Sequence, residues 1–454
     1  MSPPSGALAA PPAEELPSSP QPATSPLAAG PQLQPAGAEL PPGGPELPPG
    51  GPELLIDLDR LDLDELAVRP DTPFYVYDLA VVERRVAALR GLLPNSFRLA
   101  YAVKANPNAL VLEQMARLGL GADVASAGEL ERVIDAGFDP ARVVFTGPGK
   151  RDSELASAVS VGVGLITVES PNELRRLEAI ASMAGRRIPI LLRRSLGLES
   201  SGAPAAGPAE AVRIIGDEGA GKFGMDVDDL RASARYALDS AQLDLQGVHA
   251  FGASNVRDAA ALVRHVGQTM AFGRELAVEL SFELRVIDVG GGLGISYSDD
   301  EEPLDLDDLQ LGLGALAQAW AADPRTAATE VLVEPGRFLV GPAGAYVTRV
   351  VDTKRVRGRA IAIVDGGINH LLRPALVGQP QRIRRFGTGS GQGTGEQVTI
   401  AGPLCTGLDI LAQDVPFGPP EVGELLAVLD AGAYGFTESM PLFLSRPLAA
   451  EVCL

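Results

Sequence analysis

Short apolar segments alternate with helix-patterned stretches between about residues 97 and 337. The segments are rich in Val, Ile, Leu or Phe, and stretches such as Asn108–Leu120 and Ala127–Gly137 separate them with apolar residues at helical spacing. Near-continuous apolar runs are typical of parallel strands buried on both faces. The predicted strands are Phe97–Ala105, Ala122–Ser126, Arg142–Gly147, Gly164–Ser170, Pro189–Ser195, Leu245–Ser254, Leu284–Gly292 and Glu330–Arg337.

Eight strand–helix units in about 240 residues match the count and length of an α/β fold, the (β/α)8 barrel of the TIM type. In this fold the chemistry lies at the carboxyl ends of the strands. Those ends hold Lys104, Asp123, His249, the glycines Gly290–Gly292, and Glu334. Reactive and glycine-rich residues at so many strand ends predict an enzyme.

The pattern changes on both sides of the barrel. Residues Pro73–Asp78 predict a strand that leads into a helix over Leu79–Leu92. Beyond Gly336, β segments follow one another without long helices, which predicts a separate C-terminal β-domain. The glycine-rich stretch Gly387–Gly395 predicts a flexible loop. The predicted β segments are Gly344–Thr353, Arg359–Asp365, Glu396–Ala401, Glu424–Leu429 and Pro447–Val452.

Residues 1–54 are dominated by Pro, Ala, Gly and Ser, and Glu39–Pro45 repeats directly as Glu46–Pro52. Proline removes backbone donors and glycine raises the entropy cost of ordering, so this tail is predicted to be disordered or locally polyproline-like. A docking tail, a spacer and a dispensable extension all remain open. The expected domains are the tail over 1–54, a strand region joining the β-domain over 55–80, the barrel over 81–340 and the β-domain over 341–454.

Composition narrows the possible functions. The 454-residue chain carries a net charge of −20, which argues against non-specific binding to nucleic acid or anionic membranes. Two cysteines, Cys405 and Cys453, are too few for a disulfide framework and fit a reducing cytoplasm. The chain lacks an apolar run of roughly 18 residues and has no Lys or Arg before Arg60, so we predict neither a membrane span nor a secretory signal. The acidic stretch Asp299–Glu302 indicates a solvated loop rather than a metal site.

Seven short motifs support a more specific interpretation. They are Tyr101–Asn106 (YAVKAN), Asp123–Ser126 (DVAS) with Gly128–Leu130 (GEL), Lys222–Gly224 (KFG), Gly290–Gly294 (GGGLG), Glu334–Arg337 (EPGR), Gly402–Cys405 (GPLC) and Gly432–Tyr434 (GAY). In this order on a predicted eight-strand barrel, they resemble the fold-type III pyridoxal-phosphate decarboxylases, the ornithine/diaminopimelate/arginine decarboxylase family (group IV). The resemblance covers about residues 73–452 and implies a β-domain like that of alanine racemase.

The resemblance implies pyridoxal 5′-phosphate as the cofactor and two catalytic residues. Lys104 is suited to form a Schiff base with the cofactor aldehyde, and a lysine that ends a buried strand is costly as mere structure because it loses hydration. Cys405 matches a family cysteine that reaches across the interface of a homodimer and helps to protonate the substrate, although in isolation a cysteine beside leucines more often packs in the interior. We therefore expect a homodimer with shared active sites.

The same resemblance assigns residues to the cofactor ring. Glu334 is expected to face the pyridine nitrogen and keep it protonated, so that the ring accepts the electrons released with CO2. The structural alternative is an ion pair between Glu334 and Arg337. His249 and Phe251 lie two apart on a strand and point to the same side, so either is able to cover the ring.

The cofactor phosphate has its own expected set of residues. Gly291 and Gly292 allow backbone N–H groups to approach a phosphate closely, although an ordinary strand-to-helix turn explains them equally well. Arg337 adds a fixed cation for the phosphate or for a substrate carboxylate. Ser254 and Tyr434 are expected to supply hydroxyl donors, as their family counterparts do.

Departures from the family pattern concern the far end of the substrate. Where diaminopimelate decarboxylases typically carry Cys-Glu-Ser and Arg-Pro-Ala-Leu-Tyr, this chain has Thr406 after the cysteine and Val377 at the end. The aspartate that usually follows Asn369 is replaced by His370. Val has no donor and Thr no charge, so recognition of a charged distal amino-acid centre is expected to be poor. The expected substrate-binding residues are Arg337, Arg373, Thr406 and Asp409.

The predicted function is decarboxylation of an amino acid, or of an aminoacyl group on a carrier protein, in a biosynthetic pathway. The resemblance is strongest to a biosynthetic-cluster branch of the family. The alternatives are a meso-diaminopimelate decarboxylase that forms lysine, a racemase of the same barrel type, and a non-catalytic cofactor-binding or scaffold protein. Cys405 and the EPGR segment favour the decarboxylases over the racemase. We expect no metal, no nucleic acid and no membrane partner.

Overall fold

The computed structural model describes residues 54–58, 61, 71–196, 221–386 and 395–454. The predictions for the N-terminal tail and for the loop at 387–395 fall almost wholly outside these residues. Strand β1 (Phe74–Tyr77) and helix α1 (Leu79–Leu92) open the main described part. Asp78 caps the helix, since its side chain accepts hydrogen bonds from the N–H groups of Ala80 and Val81.

Eight parallel strands close into a barrel within the described part of the chain, as the sequence predicts. The last barrel strand pairs with the first, Val331 opposite Phe97, and so closes the ring. The strands end earlier than predicted because their final residues turn away into the loops above the barrel. They are β2 (Phe97–Ala102), β3 (Gly121–Val124), β4 (Val143–Phe145), β5 (Leu165–Val168), β6 (Ile188–Arg193), β7 (Leu243–His249), β8 (Val286–Asp288) and β9 (Glu330–Val333).

Helices surround the strands and bury their apolar faces against them. Ser126 and Ser170 each follow a strand end, and each hydroxyl accepts a hydrogen bond from the N–H group three residues later, so a helix begins there. The longest of these helices packs closely on β8 because it carries Gly273, where a Cβ would lie 2.2 Å from the side chain of Ile287. The helices are α2 (Ala109–Arg117), α3 (Ala127–Asp135), α4 (Asp152–Val161), α5 (Pro171–Ala184), α6 (Val227–Asp239), α7 (Ala259–Leu280), α8 (Leu306–Ala321) and the short α9 (Arg337–Val340).

A second sheet follows the barrel and confirms the predicted β-domain. Its strands are β10 (Gly344–Val356), β11 (Arg359–Val364), β12 (Ile383–Phe386), β13 (Val398–Ala401), β14 (Ile410–Val415), β15 (Leu425–Val428) and β16 (Ala450–Cys453), with helix α10 (Arg373–Val377) before β12. Strand β1 pairs antiparallel with β10 and parallel with β16. The described strands run in the order β12-β15-β10-β11-β13-β14. Of the helices in the ranges given above, none is long and apolar enough to cross a membrane.

Candidate active site

A cavity of about 380 Å³ opens at the carboxyl ends of the barrel strands. Barrel residues form most of its wall, and the segment after β15 contributes Tyr434 and Glu438. The fold therefore brings together residues separated by most of the chain. The predicted site residues that line it are Lys104, His249, Phe251, Ser254, Gly291, Gly292, Glu334, Arg337, Arg373 and Tyr434.

Lys104 projects into this cavity from a single 3-10 turn that follows β2. Its side chain keeps 47% of its exposure, whereas that of its partner Asp123 keeps 1%. Lys104 Nζ donates a hydrogen bond to Asp123 Oδ2 over 2.7 Å, and the Thr146 hydroxyl donates to the other carboxylate oxygen. Burial acts to lower the pKa of Lys104, but the charges of Asp123 and Glu334 outweigh burial and raise the pKa. The amine is therefore held as an ammonium ion directed at Asp123.

Three buried groups lie together below the lysine. One ligand atom from each of His249, Asp288 and Glu334 lies within 4.8 Å of the others, and His249 Nε2 is 3.8 Å from Glu334 Oε2. Burial and the charge of Glu334 raise the pKa of Asp288 well above its usual value. Burial opposes ionisation of Glu334 too, but its interactions with His249 and the charge of Lys104 prevail and lower its pKa to about 2. Glu334 is therefore the charged carboxylate, and Asp288 is the neutral acid.

A glycine loop after β8 forms another part of the wall. A Cβ on Gly291 would lie 2.3 Å from the carbonyl oxygen of Glu334, and one on Gly292 would lie 2.7 Å from that of Ala253. Gly292 also has φ +100°, a conformation that favours glycine. No larger residue fits at these two positions, so the backbone itself faces the cavity.

Arg337 begins α9 and is buried beside this loop. Its guanidinium donates to the Ser254 hydroxyl over 3.1 Å and to the Tyr297 hydroxyl over 2.5 Å, and it lies 4.7 Å from the ring centre of Tyr434. Among the described residues it forms no ion pair, so the alternative pairing with Glu334 is absent there, and its Nε has no hydrogen-bond partner. Arg337 is therefore a fixed cation whose charge a bound anion would balance.

The arrangement fits pyridoxal phosphate. The cavity offers one reachable amine, a glycine loop that leaves room for a phosphate, and a cation beside that loop. The cavity wall also contains the buried carboxylate of Glu334, whose Oε1 atom has no hydrogen-bond partner among the described residues. Such an atom is costly to bury alone, and a protonated ring nitrogen would satisfy it.

Two ion pairs of the cavity wall went unpredicted. Arg193, the last residue of β6, lies 2.6 Å from Glu169 and packs over the ring of Phe223. The strand-end rule that identifies Lys104 would have identified this arginine too. Arg373 lies 2.9 Å from Glu438. Glu438 belongs to a loop, and no sequence signal marks it.

Three predicted site residues do not line the cavity of a single chain. On the loop between β13 and β14, Cys405 is exposed and Thr406 half-buried, and Asp409 is buried at the end of the loop. The two carboxylate oxygens of Asp409 accept hydrogen bonds from the N–H groups of Ile368 and Leu404 over 2.8 and 2.7 Å. In this chain Asp409 therefore holds the loop in place, and the catalytic and binding roles of the three residues stay predictions.

Comparison with known proteins places this site in a family. The family model for the pyridoxal-binding domain of pyridoxal-dependent decarboxylases matches residues 79–341. A diaminopimelate decarboxylase of Vibrio cholerae is 35% identical over 395 residues, which cover 87% of this chain and 90% of that protein. An L-glutamyl-[BtrI acyl-carrier protein] decarboxylase of Niallia circulans is 31% identical over 403 residues, or 87% and 92% of the two chains.

A solved structure agrees with the sequence relatives. Diaminopimelate decarboxylase from Helicobacter pylori, complexed with L-lysine, superposes with a TM-score of 0.76 at 29% identity and covers 87% of this chain and 94% of its own. The fold, the cavity and the relatives agree on the cofactor and on the class of reaction. The chain therefore belongs to the pyridoxal-dependent decarboxylases, carboxy-lyases that use pyridoxal 5′-phosphate.

Proposed function

We propose that this decarboxylase acts in a biosynthetic pathway on an amino acid without a charged amino-acid centre at its distal end, or on an aminoacyl group tethered to a carrier protein. The observation that carries the proposal is the pair Thr406 and Val377. By the family resemblance, these two residues occupy the positions where diaminopimelate decarboxylases typically have glutamate and tyrosine. Neither residue offers a charge, and Val377 offers no hydrogen bond. The carrier-protein relative from Niallia circulans supports the tethered form of the substrate.

The chain's residues divide the work at the cavity. Lys104 would hold the cofactor covalently, and the Glu334 carboxylate would hold a proton on the ring nitrogen. Bound pyridoxal phosphate supplies a ring that accepts the electron pair left when carbon dioxide departs. His249 and Phe251 line the wall where the ring would lie, with Phe251 against Gly290.

We assign binding of the cofactor phosphate to residues around the glycine loop. Arg337, Ser254 and Tyr434 would bind the phosphate there together with the backbone of Gly291 and Gly292. Arg337 is already oriented by its hydrogen bonds and by the Tyr434 ring, so binding would cost little ordering of this side chain. Tyr434 itself has φ +55°, an unusual conformation for a non-glycine residue, which is common at functional sites.

We also infer that two copies of the chain share their active sites. Cys405 lies outside the cavity of its own chain, on a loop joined to the 436–448 segment by a hydrogen bond from Arg446 to the Pro403 carbonyl. Leucines on these two segments are strongly exposed, with Leu408 at 71% and Leu442 at 86%. Covering such residues favours association. A second copy that covers this face would bring its Cys405 thiol to the substrate, where it would help to protonate the α-carbon.

A substrate panel tests the proposed function. The purified holoenzyme is assayed for CO2 release with meso-diaminopimelate, lysine, ornithine, arginine, glutamate and uncharged amino acids, each also loaded on a carrier protein where the chemistry allows. Loss of a buried charged partner commonly costs about 2–5 kcal/mol, so kcat/KM for meso-diaminopimelate should be at least about tenfold below that of the best substrate. The highest kcat/KM for meso-diaminopimelate would overturn the proposal and establish the alternative, a lysine-forming enzyme.

A further inference from the structure

The wall of the cavity contains an ion pair between Arg373 and Glu438. Arg373 begins α10 with its side chain only 5% exposed, and its Nη1 lies 2.9 Å from Glu438 Oε2. The Glu438 side chain keeps 29% of its exposure. Both residues line the cavity that contains Lys104. The guanidinium of Arg373 also lies 5.1 Å from the ring centre of Tyr434, and this contact orients the Arg373 side chain.

The charges along the wall are almost all paired. Lys104 pairs with Asp123, and Arg193 pairs with Glu169. Arg337 forms no ion pair among the described residues, and it belongs to the proposed phosphate site. Arg373 would be the free cation for a carboxylate at the far end of a substrate, but Glu438 already balances it.

A substrate carboxylate therefore meets an obstacle at Arg373. To bind the Arg373 guanidinium, the substrate carboxylate must either displace the Glu438 carboxylate or lie close beside it. Two negative charges at such a distance repel each other. An uncharged distal end, such as an amide or an acyl chain that continues to a carrier, meets no such repulsion and leaves the ion pair intact. Displacing Glu438 would also leave the buried Arg373 guanidinium without its present partner, which adds to the discrimination.

We propose that Glu438 is a specificity-determining residue, which excludes substrates with a free distal carboxylate by neutralising Arg373, so that the pocket selects an uncharged distal end. The inference rests on the proposed function and deepens it, since it assigns the selection to one ion pair. Selectivity of this kind arises from a repulsive element as much as from attractive contacts.

The test compares two ligands that differ only at the distal end. Inhibition constants of L-glutamine and L-glutamate are measured against the best substrate with wild-type holoenzyme and with Glu438→Gln, and kcat/KM is measured where either is turned over. We expect wild type to favour glutamine by at least tenfold. Glu438→Gln frees the Arg373 charge, so the preference should fall by about tenfold or reverse. An unchanged ratio would overturn the inference.

Two further variants separate selection from structure. In the double variant Glu438→Gln, Arg373→Gln both charges are gone, so glutamate should gain nothing and the preference for glutamine should return. If Glu438 only stabilises the fold, the single and double variants lose activity with both ligands and leave the ratio as in wild type. Glu283→Gln removes the carboxylate of an exposed pair with Arg285, also 2.9 Å long, and serves as the matched control.

The two proposals fail in distinguishable ways. If wild type prefers uncharged distal ends but the ratio is the same in Glu438→Gln, only the role of Glu438 is wrong. If wild type turns over meso-diaminopimelate best, the proposed function fails first, and the exclusion by Glu438 fails with it.

Discussion

One proton distinguishes the two buried carboxyl groups at the base of the cavity. Asp288 Oδ1 accepts a hydrogen bond from Gly290 N–H over 2.9 Å, while Asp288 Oδ2 and Glu334 Oε1 have no partner among the described residues. Because its pKa is raised, Asp288 is neutral, so the negative charge of the two carboxyl groups lies on Glu334. Asp288 does not line the cavity, and as a neutral acid it adds no second negative charge beside Glu334.

We expect Asp288→Asn to preserve this arrangement, because an amide is neutral like the protonated acid and keeps the acceptor for the Gly290 N–H. Its free energy of unfolding should stay within about 1 kcal/mol of wild type, whereas Asp288→Ala should lose about 1–3 kcal/mol because buried polar groups lose their partners. Urea unfolding and cofactor titration measure both effects. Equal losses in the two variants would mean that Asp288 is ionised.

Lys104→Ala should abolish the cofactor adduct fixed by borohydride, because Lys104 is the amine that faces the cavity. Lys104→Arg is the matched control, since it keeps a cation beside Asp123 but cannot form the bond. Both variants should lose decarboxylation by at least about a thousandfold, while the arginine variant is the more stable of the two. Mass spectrometry of the reduced protein locates the adduct, and an adduct on another lysine would refute the assignment.

The number and order of the barrel strands were the most predictable part of the molecule, although each strand ends earlier than predicted. Buried parallel strands read as apolar runs, and the residue at which each run stops marks the cavity, which is how Lys104, His249 and Glu334 were found. The sequence pattern did not predict strands β12 and β14. Both are short strands at the edges of the sheet, and their sequences, IRRF and ILAQDV, mix charged and apolar residues. The sequence did not predict Glu438 as a site residue, because it belongs to a loop and only the fold places it beside Arg373.

Helix α7 carries a histidine that should make stability depend on pH. His265 Nε2 lies 2.9 Å from the Val289 carbonyl oxygen, and burial is the main cause that lowers its pKa. The unfolded chain has the ordinary histidine pKa and binds more protons than the native state, so stability rises with pH. The same sign applies to His370, whose pKa burial also lowers.

We therefore expect the contribution of these two histidines to the free energy of unfolding to fall as the pH drops from about 7.5 to 5.5, by at most about 1.4 kcal/mol per pH unit and histidine. The raised pKa of Asp288 contributes with the opposite sign, so the histidine contribution is measured as the difference between wild type and a variant. His265→Gln should reduce that slope, because the amide still donates to Val289 but does not titrate. Urea unfolding across this pH range measures it. A slope that the substitution leaves unchanged would assign the pH dependence to other groups.

At the scale of the whole molecule, active sites shared between two copies of the chain predict that two inactive variants regain activity when they are mixed. Lys104→Ala and Cys405→Ala subunits should each be nearly inactive, yet their mixture should recover activity. Random exchange makes half of the dimers hybrid, and each hybrid has one intact site of two, so about one quarter of wild-type activity is expected. Native mass spectrometry verifies exchange. Exchanged subunits without recovered activity would show that each site is built from one chain.

Hydrogen bonds between the residues next to Lys104 and the segment at 432–434 have a consequence for events during translation. Asn106 Nδ2 donates to the Gly432 carbonyl oxygen, 326 residues later, and Tyr434 N–H donates to the Ala105 carbonyl oxygen beside the lysine. At roughly 5–20 residues per second, tens of seconds separate the synthesis of these two regions on the ribosome. Nascent chains that have not reached Tyr434 thus lack part of the cavity wall, so we expect the cofactor to be bound only after this segment has been synthesised.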